Sequence, residues 1–138
     1  EKQNLENFIP EDKYRSSNIT AEDCKRLTER LKNLIRDKKL YSNPELKIGD
    51  LAKELDVPAY ILSYLFNQYL NRNYYDYIND YRIAEFKYLV NKGEHMTYTL
   101  NALIEKCGFN SRASFFRHFK RATGMTPNEY IKGLRKPN

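Results

Sequence analysis

Arg112, Arg117, Lys120 and Arg121 fall in one segment, NSRASFFRHFKRA, together with Ser111 and Phe116. On a helix of 3.6 residues per turn, Phe115, His118, Phe119 and Ala122 share an inner face, whereas Ala113, Phe116, Arg117, Lys120 and Arg121 point outward. Ser111 and Arg112 stand at the N-terminal tip. A guanidinium offers paired donors that match O6 and N7 of guanine, a contact worth roughly 1–3 kcal/mol of discrimination. Lys120 and Arg121, further along, suit phosphates. An outward Phe116 suits a thymine methyl or a packing neighbour, and His118, on the inner face, reads as packing.

The charge distribution fits this chemistry. Residues 99–138 hold Lys106, Arg112, Arg117, Lys120, Arg121, Lys132, Arg135 and Lys136 against only Glu105 and Glu129, so the entire formal excess of +6 lies in the last third of the chain. A concentrated basic region points to a polyanion, nucleic acid first and an anionic membrane surface second. Hydrophobic residues are 41% and charged residues 30%, an ordinary globular balance. Cys24 and Cys107 lie far apart without a CxxC or Cys/His spacing, so neither a disulfide framework nor a metal site is expected, and no cofactor is. No apolar run approaches the ~20 residues of a membrane span.

Helical periods position these groups, and the chain reads as all-α. Residues 1–19, with Pro10, read as a linker or N-terminal arm. Thr20 resembles an N-cap with Asp23 at the third helical position, and Cys24, Leu27, Leu31, Leu34 and Ile35 follow at helical spacing, giving an amphipathic lead-in helix over 20–40. A linking helix is expected over 73–93, capped by Asn73 and ended by Gly93, with Tyr77, Ile78, Tyr81, Ala84, Tyr88 and Leu89 as its apolar stripe.

On either side of that helix the sequence repeats. Ile48, Leu51, Ala52 and Leu55 are followed by a turn at Asp56 and a second helix; Leu100, Leu103, Ile104 and Cys107 are followed by Gly108 and a second helix. Leu51 pairs with Leu103, an offset of 52; after one extra residue in the second turn, Leu62 pairs with Phe115 and Phe66 with Phe119, an offset of 53. Each copy has the form of a helix-turn-helix, one expected over 45–72 and the other over 97–134. Thr126, Pro127 and Glu129 form the start of a last helix with a capping box, a structural device rather than a reading surface.

The counterpart of the basic segment is PAYILSYLFNQYL, residues 58–70, which has no charge. Arg112 aligns with Ala59, Arg117 with Tyr64, Lys120 with Asn67 and Arg121 with Gln68. Leu62, Leu65, Phe66 and Tyr69 are expected to face inward, and Tyr60, Ser63, Tyr64 and Asn67 outward. Asn can bond adenine bidentately and Ser suits several partners. The first helix therefore reads as adjusting sequence preference or reading weakly, and the second as supplying most of the electrostatic affinity.

The ending CGFNSRASFFRHFKRATGMTPNEYIK resembles the signature of the AraC/XylS family of bacterial transcription regulators, through Gly108, Phe109, Ser114–Phe115, Phe119–Lys120, Gly124, Thr126–Pro127 and Tyr130. IGDLAKELDVPAYILSYLF resembles the family's first helix-turn-helix and NYYDYINDYRIAEFKYLV its linking helix, so the likeness covers roughly 45–132. It implies two recognition helices in major grooves, able to span adjacent grooves without a dimer, and double-stranded DNA as the partner. RNA polymerase, a sensory region outside this chain and a second copy are further candidate partners. KYRSSNITAEDCKRLTERL looks like the segment preceding this domain in members with membrane-bound or other sensors, which fits a chain that starts without Met. A cytoplasmic location is expected for the DNA-binding part, with the full-length protein a candidate for membrane attachment. The chain departs from the family pattern at Ile131, where Arg is frequent, at Asp56 for Gly, and at Pro58 for Ser. Asp tolerates an unusual backbone and Pro suits the first helical position.

No Gly-rich phosphate loop or paired nucleophile and base is present, so an enzyme is not expected. The rival is a protein-interaction or signalling-coupling module using the twelve tyrosines and the lead-in helix, as a dimer contact or a coupling to a sensor. RNA binding ranks third, for want of a stacking platform.

Overall fold

A computed structural model describes residues 19–135. The arm expected over 1–19 thus lies outside the described residues apart from Ile19, as does Lys136. Seven α-helices follow one another: α1 Ala21–Lys38, α2 Ile48–Leu55, α3 Ala59–Tyr64, α4 Tyr74–Asn91, α5 Leu100–Cys107, α6 Arg112–Thr123 and α7 Pro127–Arg135. Short 3₁₀ turns occupy Leu40–Ser42 and Glu94–Met96, and α3 runs on into a π-wound segment, Leu65–Leu70. No strand occurs among the described residues, and the fold is all-α. The chain clusters into two compact units. One combines the stretch ending at Leu40 with Leu46–Tyr74; the other combines Tyr41–Glu45 with the chain from Tyr75 onward.

In the first unit, α1 starts at the expected capping box: Asp23 N–H donates to Thr20 Oγ1 (3.0 Å), and Thr20 N–H donates to Asp23 Oδ2 (3.2 Å). Its face of Cys24, Leu27, Leu31 and Ile35 is buried, with α1 packed on α2 and the π segment. Arg30 donates to the Leu55 carbonyl at the end of α2 (2.6 Å), and Lys38 pairs with Glu54 (3.0 Å). Four of the five residues of the expected stripe are thus buried inside this unit, and Leu34 is half-buried. Asp56 ends α2 with φ 60°, the left-handed conformation that the short Asp side chain tolerates. Pro58 does not occupy the first helical position; it precedes the helix, extended at ψ 148°.

Two inward expectations fail here and in the next unit. Ile61, Leu62, Leu65 and Phe66 are buried, but Tyr69 is 41% exposed. The wider π winding after Leu65 delays each later residue and turns Tyr69 off the inner stripe. In α6, Phe115 and Phe119 are fully buried, whereas Ala122, expected on the same face, is exposed at the last turn before Gly124.

The second unit is built on aromatic packing. Phe86 lies 4.8 Å from Phe115 and 5.4 Å from Phe119 between ring centroids, and Tyr130 of α7 sits edge-on to Phe119 at 5.6 Å. Ile131 packs against the same core, which accounts for an apolar residue at that place. The capping box of α7 forms as expected, through Thr126 N–H to Glu129 Oε1 (2.9 Å) and Glu129 N–H to Thr126 Oγ1 (3.1 Å).

The stripe of α4 differs from the expected one. Tyr88 and Ala84 are exposed, and the buried face runs through Ile78, Asn79, Arg82, Ile83, Phe86, Leu89 and Val90. Arg82 is 7% exposed; its Nε donates to the Tyr41 carbonyl (2.7 Å), Nη2 to the Asn43 carbonyl (2.9 Å) and Nη1 to Asn79 Oδ1 (2.8 Å). A buried guanidinium is tolerated when its donors meet acceptors. Tyr41, drawn in with it, donates its hydroxyl to Glu85 Oε1 (3.0 Å).

Gly108 closes this arrangement. It ends α5 at φ 103°, and a Cβ there would stand 2.1 Å from the Tyr41 carbonyl oxygen and 2.9 Å from Ser42 Cα. Gly108→Ala therefore adds left-handed strain to a backbone clash and is expected to lower stability by about 2 kcal/mol or more in urea unfolding. Gly49→Ala, in the first turn of α2 with open space around its Cβ, is expected to be neutral or to stabilise by up to ~1 kcal/mol.

Candidate nucleic-acid interface

Helix α6 is set by Ser111, whose hydroxyl accepts from the Ser114 N–H (3.1 Å), and by Gly124 at φ 76° after its last turn. Ser111 is exposed but its oxygen is committed to the cap, so its hydroxyl is less available for DNA than its position suggested. Phe115 and Phe119 anchor the helix, and the outward face carries Arg112, Arg117, Lys120 and Arg121, all exposed.

These four cations sit in different settings. Arg112 donates to Asn101 Oδ1 of α5 and lies 4.8 Å over the Phe116 ring, which fixes its direction without cancelling its charge. Phe116 is half-buried, packed against the core and 5.5 Å from Phe115; it serves as the platform for Arg112. Arg117 and Lys120 have no hydrogen-bonded or ion-paired partner among the described residues. Arg121 pairs with Asp76 of α4 (3.3 Å). Asn101 and Asp76 carried no sequence signal for these roles; their pairing depends on contacts far along the chain.

His118 packs as expected and is held by an oriented chain. Arg82 is a pure donor, so Asn79 turns Oδ1 toward it and its NH₂ toward His118 Nε2 (2.9 Å). Nε2 must then accept, which places the ring proton on Nδ1, 3.9 Å from Asp76 Oδ1. Burial, and then Arg121, push the His118 pKa below the ordinary histidine value, while Asp76 pulls it the other way. Burial also raises the Cys107 thiol to about 12, which keeps it protonated and unreactive. Among the described residues no group of three or more His, Cys, Asp or Glu could hold a metal ion. Nor is any helix among them long and apolar enough to cross a membrane.

In the first unit the corresponding face is neutral. Tyr60, Ser63 and Tyr64 are half-buried, and Asn67 and Gln68 are exposed. Tyr60, Ser63 and Tyr64 lie on regular helix, whereas Asn67 lies on the π-wound turn and is displaced from the α-helical register.

Two copies of helix, tight turn and anchored second helix define the chain as a double helix-turn-helix protein. A family model described as a helix-turn-helix domain matches residues 51–133, more than half of the chain, and the chain belongs to this AraC-type helix-turn-helix family. It is 29% identical over 94 residues to a response regulatory protein of Staphylococcus epidermidis, covering 68% of this chain and 36% of that one. It is 27% identical over 88 residues to the transcriptional regulatory protein HptR of Staphylococcus aureus, covering 64% and 33%. The chain thus spans about a third of the length of these curated relatives. A solved structure of a protein of unknown function from Listeria innocua superposes with a TM-score of 0.63 at 27% identity, over 76% of this chain and 94% of that one. The C-terminal domain of AraT, a response regulator from Geobacillus stearothermophilus, shares the fold at TM-score 0.63 and 23% identity, over 80% and 86%.

NMR of the imidazole nitrogens tests the His118 chain: the Nδ1–H tautomer is expected at pH 7, with a titration midpoint below ~6.5. A histidine pKa lowered by folding contributes stability above its unfolded value, so this contribution is lost as the pH falls from ~6.5 through the folded midpoint.

Proposed function

We propose that this chain binds double-stranded DNA sequence-specifically, with α6 and α3 each entering a major groove, as the output domain of a larger bacterial transcription regulator. Family membership supports DNA binding and transcription regulation as a class. The observation that carries the finer reading is α6 itself. A helix pinned by Phe115 and Phe119 turns Arg117 and Lys120 to solvent with no partner among the described residues, beside an Arg112 held in a fixed direction. Base contacts fall to Arg112 and Arg117, and phosphate contacts to Lys120 and Arg121. On α3 and the π-wound turn after it, Tyr60, Ser63, Tyr64 and Asn67 supply neutral contacts that adjust sequence preference.

The names of the relatives, a transcriptional regulatory protein and a response regulatory protein, support a regulator with an input region elsewhere in a longer protein. RNA polymerase and a second copy of the chain are the partners such a regulator would engage. The rival, an interaction module with little DNA affinity, draws on exposed Tyr75, Tyr88 and Met96.

Duplex binding across a salt series separates these. Arg117→Ala is expected to cost most on the preferred sequences, and Lys120→Ala to weaken binding on every sequence and reduce the salt slope by about 0.9. Asn67→Ala is expected to cost less and to act on some sequences only. Equal losses on all sequences would remove the division of labour, and no duplex binding at low salt would favour the interaction module.

A further inference from the structure

Among the described residues, Arg121 is the one cation of α6 with a carboxylate partner. Asp76 Oδ1, in the first turn of α4, lies 3.3 Å from Arg121 Nη1, with the side chains 35% and 58% exposed. The same oxygen lies 3.9 Å from His118 Nδ1. His118 does not discharge it. The Arg82–Asn79 pair aims an NH₂ at Nε2, so the ring accepts there and stays neutral, and protonation would set two donors face to face. The neutral ring leaves the Asp76 charge to the cations around it, and Arg121 is one of them.

We propose that Asp76 is a specificity-determining residue, holding Arg121 in an internal ion pair for which a DNA phosphate must compete. This rests on the DNA-binding reading. Phosphate neutralisation supplies essentially all non-specific affinity, so offsetting one cation trims non-specific binding while Arg112 and Arg117 keep their readout. An exposed pair of this kind is weak, and so exchangeable once a phosphate is correctly placed.

The test uses wild type, Asp76→Asn, Arg121→Ala and the double variant, with fluorescence anisotropy on a random-sequence duplex over a salt series. Asp76→Asn keeps the size of the side chain and removes the charge. It is expected to tighten non-specific binding about two- to fivefold and to steepen the salt slope by up to ~0.9. In the Arg121→Ala background the same change is expected to have little effect, because the released cation is gone. Arg121→Ala alone is expected to alter the wild-type slope less than Lys120→Ala does, a comparison that stands even where Asp76→Asn disturbs α4. If Asp76→Asn leaves binding unchanged, the inference falls while the DNA-binding reading stands. It also falls if the gain is as large without Arg121, since Asp76 would then act by repelling phosphates directly. If the wild type binds no duplex at low salt, both fall.

Discussion

The buried guanidinium of Arg82 is the constraint on which the second unit depends. Two of its hydrogen bonds end on the carbonyls of Tyr41 and Asn43, in a stretch that the chain places between α1 and α2. The third fixes the carboxamide of Asn79. Leaving such a group without acceptors would cost several kcal/mol, so the fold must bring these oxygens to it. Tyr41 then lies over the end of α5, and only a residue without a side chain fits at 108. The same guanidinium, through Asn79, decides which nitrogen of His118 carries a proton. One interior charge thus settles a backbone crossing, a glycine and a tautomer on α6.

Much of the fold was legible because it repeats. Leu51, Ala52 and Leu55 are buried, with Ile48 half-buried, and Leu103, Ile104 and Cys107 are buried, with Leu100 half-buried. The capping boxes at Thr20 and Thr126 also followed from local residue types, since both partners lie three residues apart. What a hydrophobic period could not show was Arg82. A stripe drawn through apolar residues counted Ala84 and Tyr88 as inward and passed over Asn79 and Arg82. Their burial depends on acceptors some forty positions away, outside any helical window. Tyr69 departs for a different reason: uniform α winding would turn it inward, and the π turn does not. On α6 the sequence located the four cations but not their partners Asn101 and Asp76, which are again long-range.

Helices α6 and α3 share a packing scheme and differ in charge. Phe115 and Phe119 hold α6 as Leu62 and Phe66 hold α3, so the inner faces are nearly interchangeable in role. Their outer faces are not. The cations of α6 differ in setting: Arg112 is aimed by Asn101 and the Phe116 ring, Arg117 and Lys120 have no partner among the described residues, and Arg121 is held by Asp76. The face of α3 and its π-wound continuation offers hydroxyls and amides, which are weak sources of affinity but able to bond base edges. This contrast in charge is what supports the proposed division between an electrostatic anchor and a neutral adjuster.

Titration of duplex DNA into the isotope-labelled chain, read by amide and side-chain NMR shifts, tests this account most directly. The largest changes are expected along the outer face of α6, from Arg112 to Arg121, with smaller, sequence-dependent changes at Tyr60, Ser63, Tyr64 and Asn67. Shifts concentrated instead on the exposed tyrosines of α4, with α6 unperturbed, would contradict it.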